Sequence, residues 1–418
     1  MIPVPAGAGK NIKNVAGNKG KTMSQMMVPG FSANGVHAGI KTDGRKDLAL
    51  IFSVTPAKAA GMFTTNTFKA APVLVDMERI KSGVIQAIVT NSGNANAATG
   101  EEGYGDALAM SRAASDGLHI KDELVLVAST GIIGQRLPVQ KIAGAMNSLI
   151  AGLRPDGIEE AEEAIMTTDK FPKITFRKAT MGTKEISLCG MAKGAGMISP
   201  RMATMLAFFM TDADIELSAL RSVFRQAVSR SFNAITVDGC MSTNDTVIIL
   251  ANGMACNRTI RKAAKDDFFA FKEMLFSAMM ELAEAIVRDG EGATKVIEVS
   301  IEGASSVSDA RKAATAVANS NLVKTAFFGC DLNLGRIVSA IGSVGIPLLV
   351  GSVKVFLEGV PVFANGTCVM GNEVELAKIM VQPYIRLKVN LGTGNRQFRI
   401  ITSDLGYDYI KINAHYHT

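Results

Sequence analysis

From Gly35 onward, short apolar runs alternate with helical periods, and this alternation constrains the fold more than any single motif. Residues 48–54, 85–90 and 124–128 are short and aliphatic, bounded by turn residues, and predict buried strands. Between them, 104–118 and 139–153 predict helices. Two further helices are amphipathic: 216–232, with Leu217, Leu220, Phe224 and Val228 on one side, and 266–288. In the second, Phe268, Phe271, Leu275, Met279, Leu282 and Ile286 step by three or four, one stripe facing a core, and Gly290 follows as a stop. After Lys295 strands dominate (296–301, 353–357, 384–391, 398–402), with helices at 308–318 and 373–380. The pattern implies layered, mixed α and β architecture. It divides into a loose leader over 1–35, a core over 36–295 and a smaller α+β domain over 296–418.

A chain of 418 residues has room for two or three domains. Its net charge of +6 is dispersed, apart from Lys10, Lys13, Lys19 and Lys21, so no nucleic-acid footprint is expected. The longest charge-free run, 17 residues between Arg336 and Lys354, holds Gly342, Gly345, Pro347 and Gly351. It is short for a membrane span and predicts buried strands with a turn. MIPVPAGAGKNIKN lacks the apolar core of an export signal. Cys189, Cys240, Cys256, Cys330 and Cys368 are odd in number and contain no CxxC pair, which points to reduced thiols in a cytoplasm and no zinc site. The four histidines, His37, His119, His415 and His417, offer little for a metal.

Several motifs are ambiguous singly. Gly20-Lys21-Thr22 lacks the glycine and the strand that a phosphate-binding loop needs, and Gly290-Glu291-Gly292 follows a helix, so neither is a nucleotide fingerprint. Asn91-Ser92-Gly93-Asn94-Ala95-Asn96-Ala97 and Ser129-Thr130-Gly131-Ile132-Ile133-Gly134 follow strands. Taken alone, each reads first as a turn; the alternative is a source of hydrogen bonds for a ligand, the Thr-Gly pair suiting an oxyanion. In 289–295, Asp-Gly-Glu-Gly-Ala-Thr-Lys, Glu291 is either a solvated helix end or a partner for a ligand amine.

The richest stretch is 193–208, where Lys193 lies among glycines ahead of a Pro-led turn, and Ala203-Thr204 runs into an apolar strand. If the Ala203–Thr204 bond breaks, the freed α-amine can act as base for the threonine's own hydroxyl. Such a nucleophile needs no histidine. The ordinary alternative is a threonine half-buried in a strand.

As an ordered set, these segments resemble the glutamate N-acetyltransferase/ornithine acetyltransferase family of arginine biosynthesis. The resemblance runs through HAGIK (37–41), FTTN (63–66), NSGNANA, STGIIGQRLP, IMTTD (165–169), KGAGMISPRMATML, STNDT (242–246), DGEGATK and YDYIKINA (407–414). It implies an α+β fold of αββα layers, laid out like the N-terminal-nucleophile hydrolases with different connectivity. It also implies self-cleavage at Ala203–Thr204 into chains 1–203 and 204–418, which stay together, commonly as α2β2. Thr204 matches the nucleophile, and Thr130 and Gly131 the oxyanion hole. Thr167 (rather than Thr168), Lys193, Thr204, Glu291, Asn413 and Thr418 match the substrate positions. The implied substrates are N-acetylornithine and glutamate, with no metal or cofactor; acetyl-CoA enters only if the enzyme also starts the cycle.

The chain departs from the family pattern at Ser199-Pro200-Arg201, Cys240-Met241, Leu334 and the tail histidines. These bear on processing and specificity. The competing readings are an N-terminal-nucleophile amidase or aminopeptidase, in which water takes the acyl group, and a non-catalytic relative that holds an amino acid.

Overall fold

The computed structural model describes residues 12–13, 27–199 and 205–415. Its strands in chain order begin with β1 (Ile12–Lys13), β2 (Phe31–Val36), β3 (Leu48–Phe63), β4 (Val84–Asn94) and β5 (Val125–Ile132). They continue with β6 (Ile174–Met181), β7 (Lys184–Lys193), β8 (Leu206–Thr211), β9 (Ile235–Thr236) and β10 (Thr246–Ala251). The last six are β11 (Val296–Ala304), β12 (Lys354–Leu357), β13 (Val360–Ala364), β14 (Thr367–Cys368), β15 (Tyr384–Asn390) and β16 (Arg396–Ser403). The first sheet has nine strands in the order β1-β6-β7-β8-β10-β3-β4-β5, with β2 also on β3. The second has seven, β14-β13-β12-β15-β11-β16-β9.

The long strand β3 organises the first sheet. Its start pairs with β2 and β4, its end (58–63) with β10, and its register against β4 breaks between Phe52 and Ala57. Such a break bends a strand. One apolar cluster accordingly joins Ile51, Ile88 and Leu126 from one half of the sheet to Phe176, Met191 and Phe208 from the other. The halves face each other, with α4 (Ile158–Ile165) tucked against them through Ala161, Ala164 and Ile165.

Alternate residues point outward, as the pleat requires. Leu50, Val89 and Val127 pack on α1 (Ala71–Arg79), α2 (Gly100–Leu118) and α3 (Val139–Ala151). Phe209, Val247 and Ile249 pack on α5 (Leu217–Arg230) and α6 (Lys265–Arg288). The layers therefore run helix, sheet, sheet, helix. In α6 the buried stripe includes Phe271, Leu275, Met279, Leu282 and Ile286, each contributing about 1.5–3 kcal/mol by burial. Asp266 and Asp267 in the first turn and Arg288 in the last suit the helix dipole.

The second sheet packs one face on α7 (Val307–Asn319), α8 (Asn321–Phe328), α9 (Leu334–Gly342) and α10 (Glu373–Met380). Val296 and Ile401 reach the core around α6 and join the two bodies. The last helix is α11 (Tyr407–His415).

Two expectations need correction. The sheet begins before the expected end of the leader at 35: Phe31–Val36 pairs with β3, and Phe31 and Ala33 are core residues. Most of that leader, Gly20-Lys21-Thr22 included, lies outside the described residues. The charge-free run forms no strand: it enters α9, whose Ile337, Ala340 and Ile341 step by three and four, and then a loop exposing Leu349 and Val350. No helix among the described residues is long and apolar enough to cross a membrane.

Candidate active site

A pocket opens where β5 and β7 end and β10 begins. Thr130 and Gly131 come from the last turn of β5, Lys193 from the end of β7, and Thr167 from the loop after α4. Glu291 comes from the loop after α6 and Asn413 from α11. All six line this one pocket although they span residues 130–413 of the chain. The other three proposed site residues, Ala203, Thr204 and Thr418, lie outside the described residues. Met205, the first residue described after them, is buried, and its carbonyl accepts from Thr246 N at 3.1 Å.

Lys193 is 3% exposed, and its ammonium donates to Thr167 Oγ1 at 2.8 Å and Thr130 Oγ1 at 3.1 Å. Two of its three donors are thus met by hydroxyls. Behind it, Asp169 accepts from Thr167 N at 2.9 Å through Oδ2 and from Gly194 N at 2.7 Å through Oδ1. Lys173, wholly buried at its side chain, donates to Asp169 at 2.8 Å and Asp289 at 2.5 Å. Burial opposes the charge on Asp169, but Lys193 and Lys173 outweigh it and hold the carboxyl well below its usual range. Burial likewise opposes the Lys173 ammonium, and Asp169 and Asp289 overcome it. Burial pulls Lys193 below the usual lysine range, and Asp169 is the main opposing influence.

Glu291 Oε2 accepts from Asn413 Nδ2 at 2.8 Å, and Glu291 N donates to the Ala195 carbonyl at 2.9 Å. Two glycines permit these approaches. Gly131 has φ 132°, and a Cβ there would meet the Gly93 carbonyl carbon at 2.3 Å. A Cβ on Gly196 would meet the Glu291 carboxyl at 2.5 Å. The HAGIK loop braces the far rim: Lys41 donates to Met166 O at 2.7 Å and Arg45 to Thr167 O at 3.1 Å. Burial, then Arg45, bring Lys41 down to about 8.

Three lining or bracing residues were not singled out from sequence. Ser242 and Asn244 line the pocket, and the Asn244 amide donates to Ala95 O at 2.6 Å and Ser129 O at 2.8 Å, pinning the two glycine-rich loops together. Asp169 stands behind it. All three lie in the STNDT and IMTTD motifs, so the motifs carried the signal while the partners were invisible. Next to Asn244, Asp245 buries its carboxyl, and burial keeps it well above the usual range.

The fold and the pocket define a layered α+β enzyme whose site offers hydroxyls, one buried ammonium and one carboxylate to a small molecule carrying both charges. Residues 32–418 match the ArgJ family. "Arginine biosynthesis bifunctional protein ArgJ" of Geobacter sulfurreducens is 48% identical over 94% of this chain and 100% of that protein. The protein of the same name from Symbiobacterium thermophilum is 46% identical over 93% of this chain and 97% of its own. A solved structure, the arginine biosynthesis bifunctional protein argJ from Bacillus halodurans, is 37% identical, covering 50% of this chain and 98% of that one, with a TM-score of 0.48. The chain belongs to the ArgJ family.

Proposed function

We propose that this chain transfers the acetyl group of N-acetylornithine to glutamate, a step of arginine biosynthesis, through an acetyl-threonine at Thr204. The observation that carries the reading is the convergence of Thr130, Gly131, Thr167, Lys193, Glu291 and Asn413 in one pocket. Self-cleavage at Ala203–Thr204 frees the α-amine of Thr204, which takes the proton of its own hydroxyl. The hydroxyl oxygen attacks the acetyl carbonyl, Thr130 and Gly131 stabilise the oxyanion, and ornithine leaves with the proton. Glutamate's α-amine then attacks the acetyl-threonine and restores the hydroxyl. Each oxyanion donor is asked for roughly 10²–10³ in rate.

Lys193 gives its third donor to a substrate carboxylate, and Glu291, steadied by Asn413, takes a substrate amine. Thr418 completes the substrate positions, and acetyl-CoA serves as donor when the cycle is started afresh. In this reading the functional protein is an α2β2 assembly in the cytoplasm, with the catalytic unit ending near 295 and a C-terminal unit over 296–418. All five cysteines are free thiols, which suits a reducing compartment.

The test is incubation with N-acetylornithine alone, then with glutamate. The reading expects one acetyl group on Thr204, released as N-acetylglutamate only when glutamate is added. Release to water at the same rate without glutamate would favour the amidase, and no acetylated Thr204 would favour a non-catalytic relative.

A further inference from the structure

The pocket's charged wall is built on a buried cluster of which only Lys193 has a part in the proposed reaction. Glu162, Asp169, Lys173, Lys193 and Asp289 are all buried. Glu162 accepts from Lys173 N at 3.2 Å, and burial, then Asp169, raise its carboxyl well above the usual range. Asp169 and Asp289 are the carboxylates that pair with Lys173. Asp289 is committed to Lys173 at 2.5 Å and to Lys170 N at 3.0 Å. Asp169 alone holds the chain on both sides of the pocket wall, at Thr167 and at Gly194.

We propose that Asp169 is the positioning residue of this site: its carboxylate clamps the backbone at Thr167 and Gly194 and supplies the buried negative charge beside Lys193. Without it, Lys193 would face its remaining titratable neighbours Lys173, Lys41, Glu162, Asp245 and Glu291. The first two repel a cation, and burial raises the Glu162 and Asp245 carboxyls well above the usual range. Asp289 stays on Lys173, and Glu291 has Asn413 on one oxygen. A buried ammonium so placed gives up its proton more readily. It then offers a lone pair where a substrate carboxylate needs a cation. The assignment of Asp169 rests on geometry; its consequence for substrate binding rests on the reading proposed above.

The experiment uses full-length protein with lysines labelled at Cε, followed by NMR through a pH titration, with Lys193→Arg identifying the Lys193 signal. In Asp169→Asn the Lys193 signal is expected to titrate at least about one pH unit lower than in the unaltered protein. KM for N-acetylornithine at pH 8 is expected to rise at least fivefold, with kcat changing less, and to recover as the pH is lowered toward 6. An unchanged Lys193 titration in folded Asp169→Asn overturns the proposal, as does a KM raised equally at every pH, which is what a merely structural role would give. If Asp169→Asn does not fold, Asp169→Asn/Lys173→Met removes one buried charge of each sign and is expected to show a smaller downward shift, because Lys173 no longer repels Lys193; no shift overturns the proposal. The NMR result needs no substrate, so an inactive unaltered enzyme would sink the functional reading while leaving the role of Asp169 to be decided by the titration.

Discussion

The two sheets bury different things. Against the second sheet, the cluster of Val299, Ile301, Phe327, Val355, Leu387 and Val389 is purely apolar. Among the described residues from 296 on, the buried polar side chains are Lys324, Thr402, Ser403 and Asp404, gathered at the exit of β16. There Asp404 accepts from Thr294 N at 2.8 Å and Lys295 N at 2.9 Å and ties the sheet to the DGEGATK loop. The first sheet buries polar groups wherever its strands approach the pocket, Asn91, Ser129, Thr130, Lys193 and Asp245 among them. Burying a polar group costs free energy unless it is paired, so a core holding many of them is shaped by something besides stability. One body is built to stay folded; the other gives up stability to hold a site. The second sheet still reaches that site, through Asp404 and through α11 with Asn413.

Substitutions should separate the two bodies. Lys193→Met should lower kcat/KM roughly 100-fold, the worth of a hydrogen bond to a charged group in a dry pocket. Its melting temperature should fall less than that of Leu387→Ala. Leu387→Ala, in the apolar core of the second sheet, should cost about 2–5 kcal/mol of stability by denaturant unfolding. It should leave kcat/KM within about twofold where the protein remains folded. Equal effects of both variants on both readouts would break the comparison.

Lys324 gives a subtler separation. Burial outweighs Asp404 and Asp238 and brings it down to about 7. Above that pH the folded protein releases the proton while the unfolded chain keeps it to about 10.4. The unfolded state then binds more protons, so this residue makes stability rise with pH between about 7 and 10, by up to about 1 kcal/mol per pH unit. Below pH 7 both states are charged and the contribution is flat. Lys324→Met should remove that part of the slope, measured by urea unfolding at pH 6, 7, 8 and 9, while the pH profile of kcat is unmoved. The smallest effect belongs to Leu349→Ser on the exposed loop after α9, expected within about 0.5 kcal/mol.

What the sequence disclosed follows from how local its signal was. The stripe of α6 repeats within its own length, and its predicted span of 266–288 compares with Lys265–Arg288. Strand β3 was legible only over its first seven residues, because Pro56 and Lys58 interrupt the apolar run and the bend that makes the layers is a matter of pairing. Helix α4 escaped notice: its Glu162 is buried against Lys173, which no local pattern announces. The charge-free run misled because apolar content was read without its three-and-four spacing. At the site, six of the residues named from the family resemblance line one pocket, and Ala203, Thr204 and Thr418 lie outside the described residues. Asp169 and Asn244 were missed because their importance lies in what they hold: two backbone amides for one, and two glycine-rich loops for the other.

The central claim is that the pocket serves a threonine made N-terminal by the chain's own cleavage. The direct measurement is an intact mass spectrum of the purified protein, with N-terminal sequencing of each fragment, beside Thr204→Ala. The account predicts two fragments, one ending at Ala203 and one beginning at Thr204, and a Thr204→Ala protein that stays whole. A single uncut chain in a folded preparation that transfers acetyl groups would contradict it.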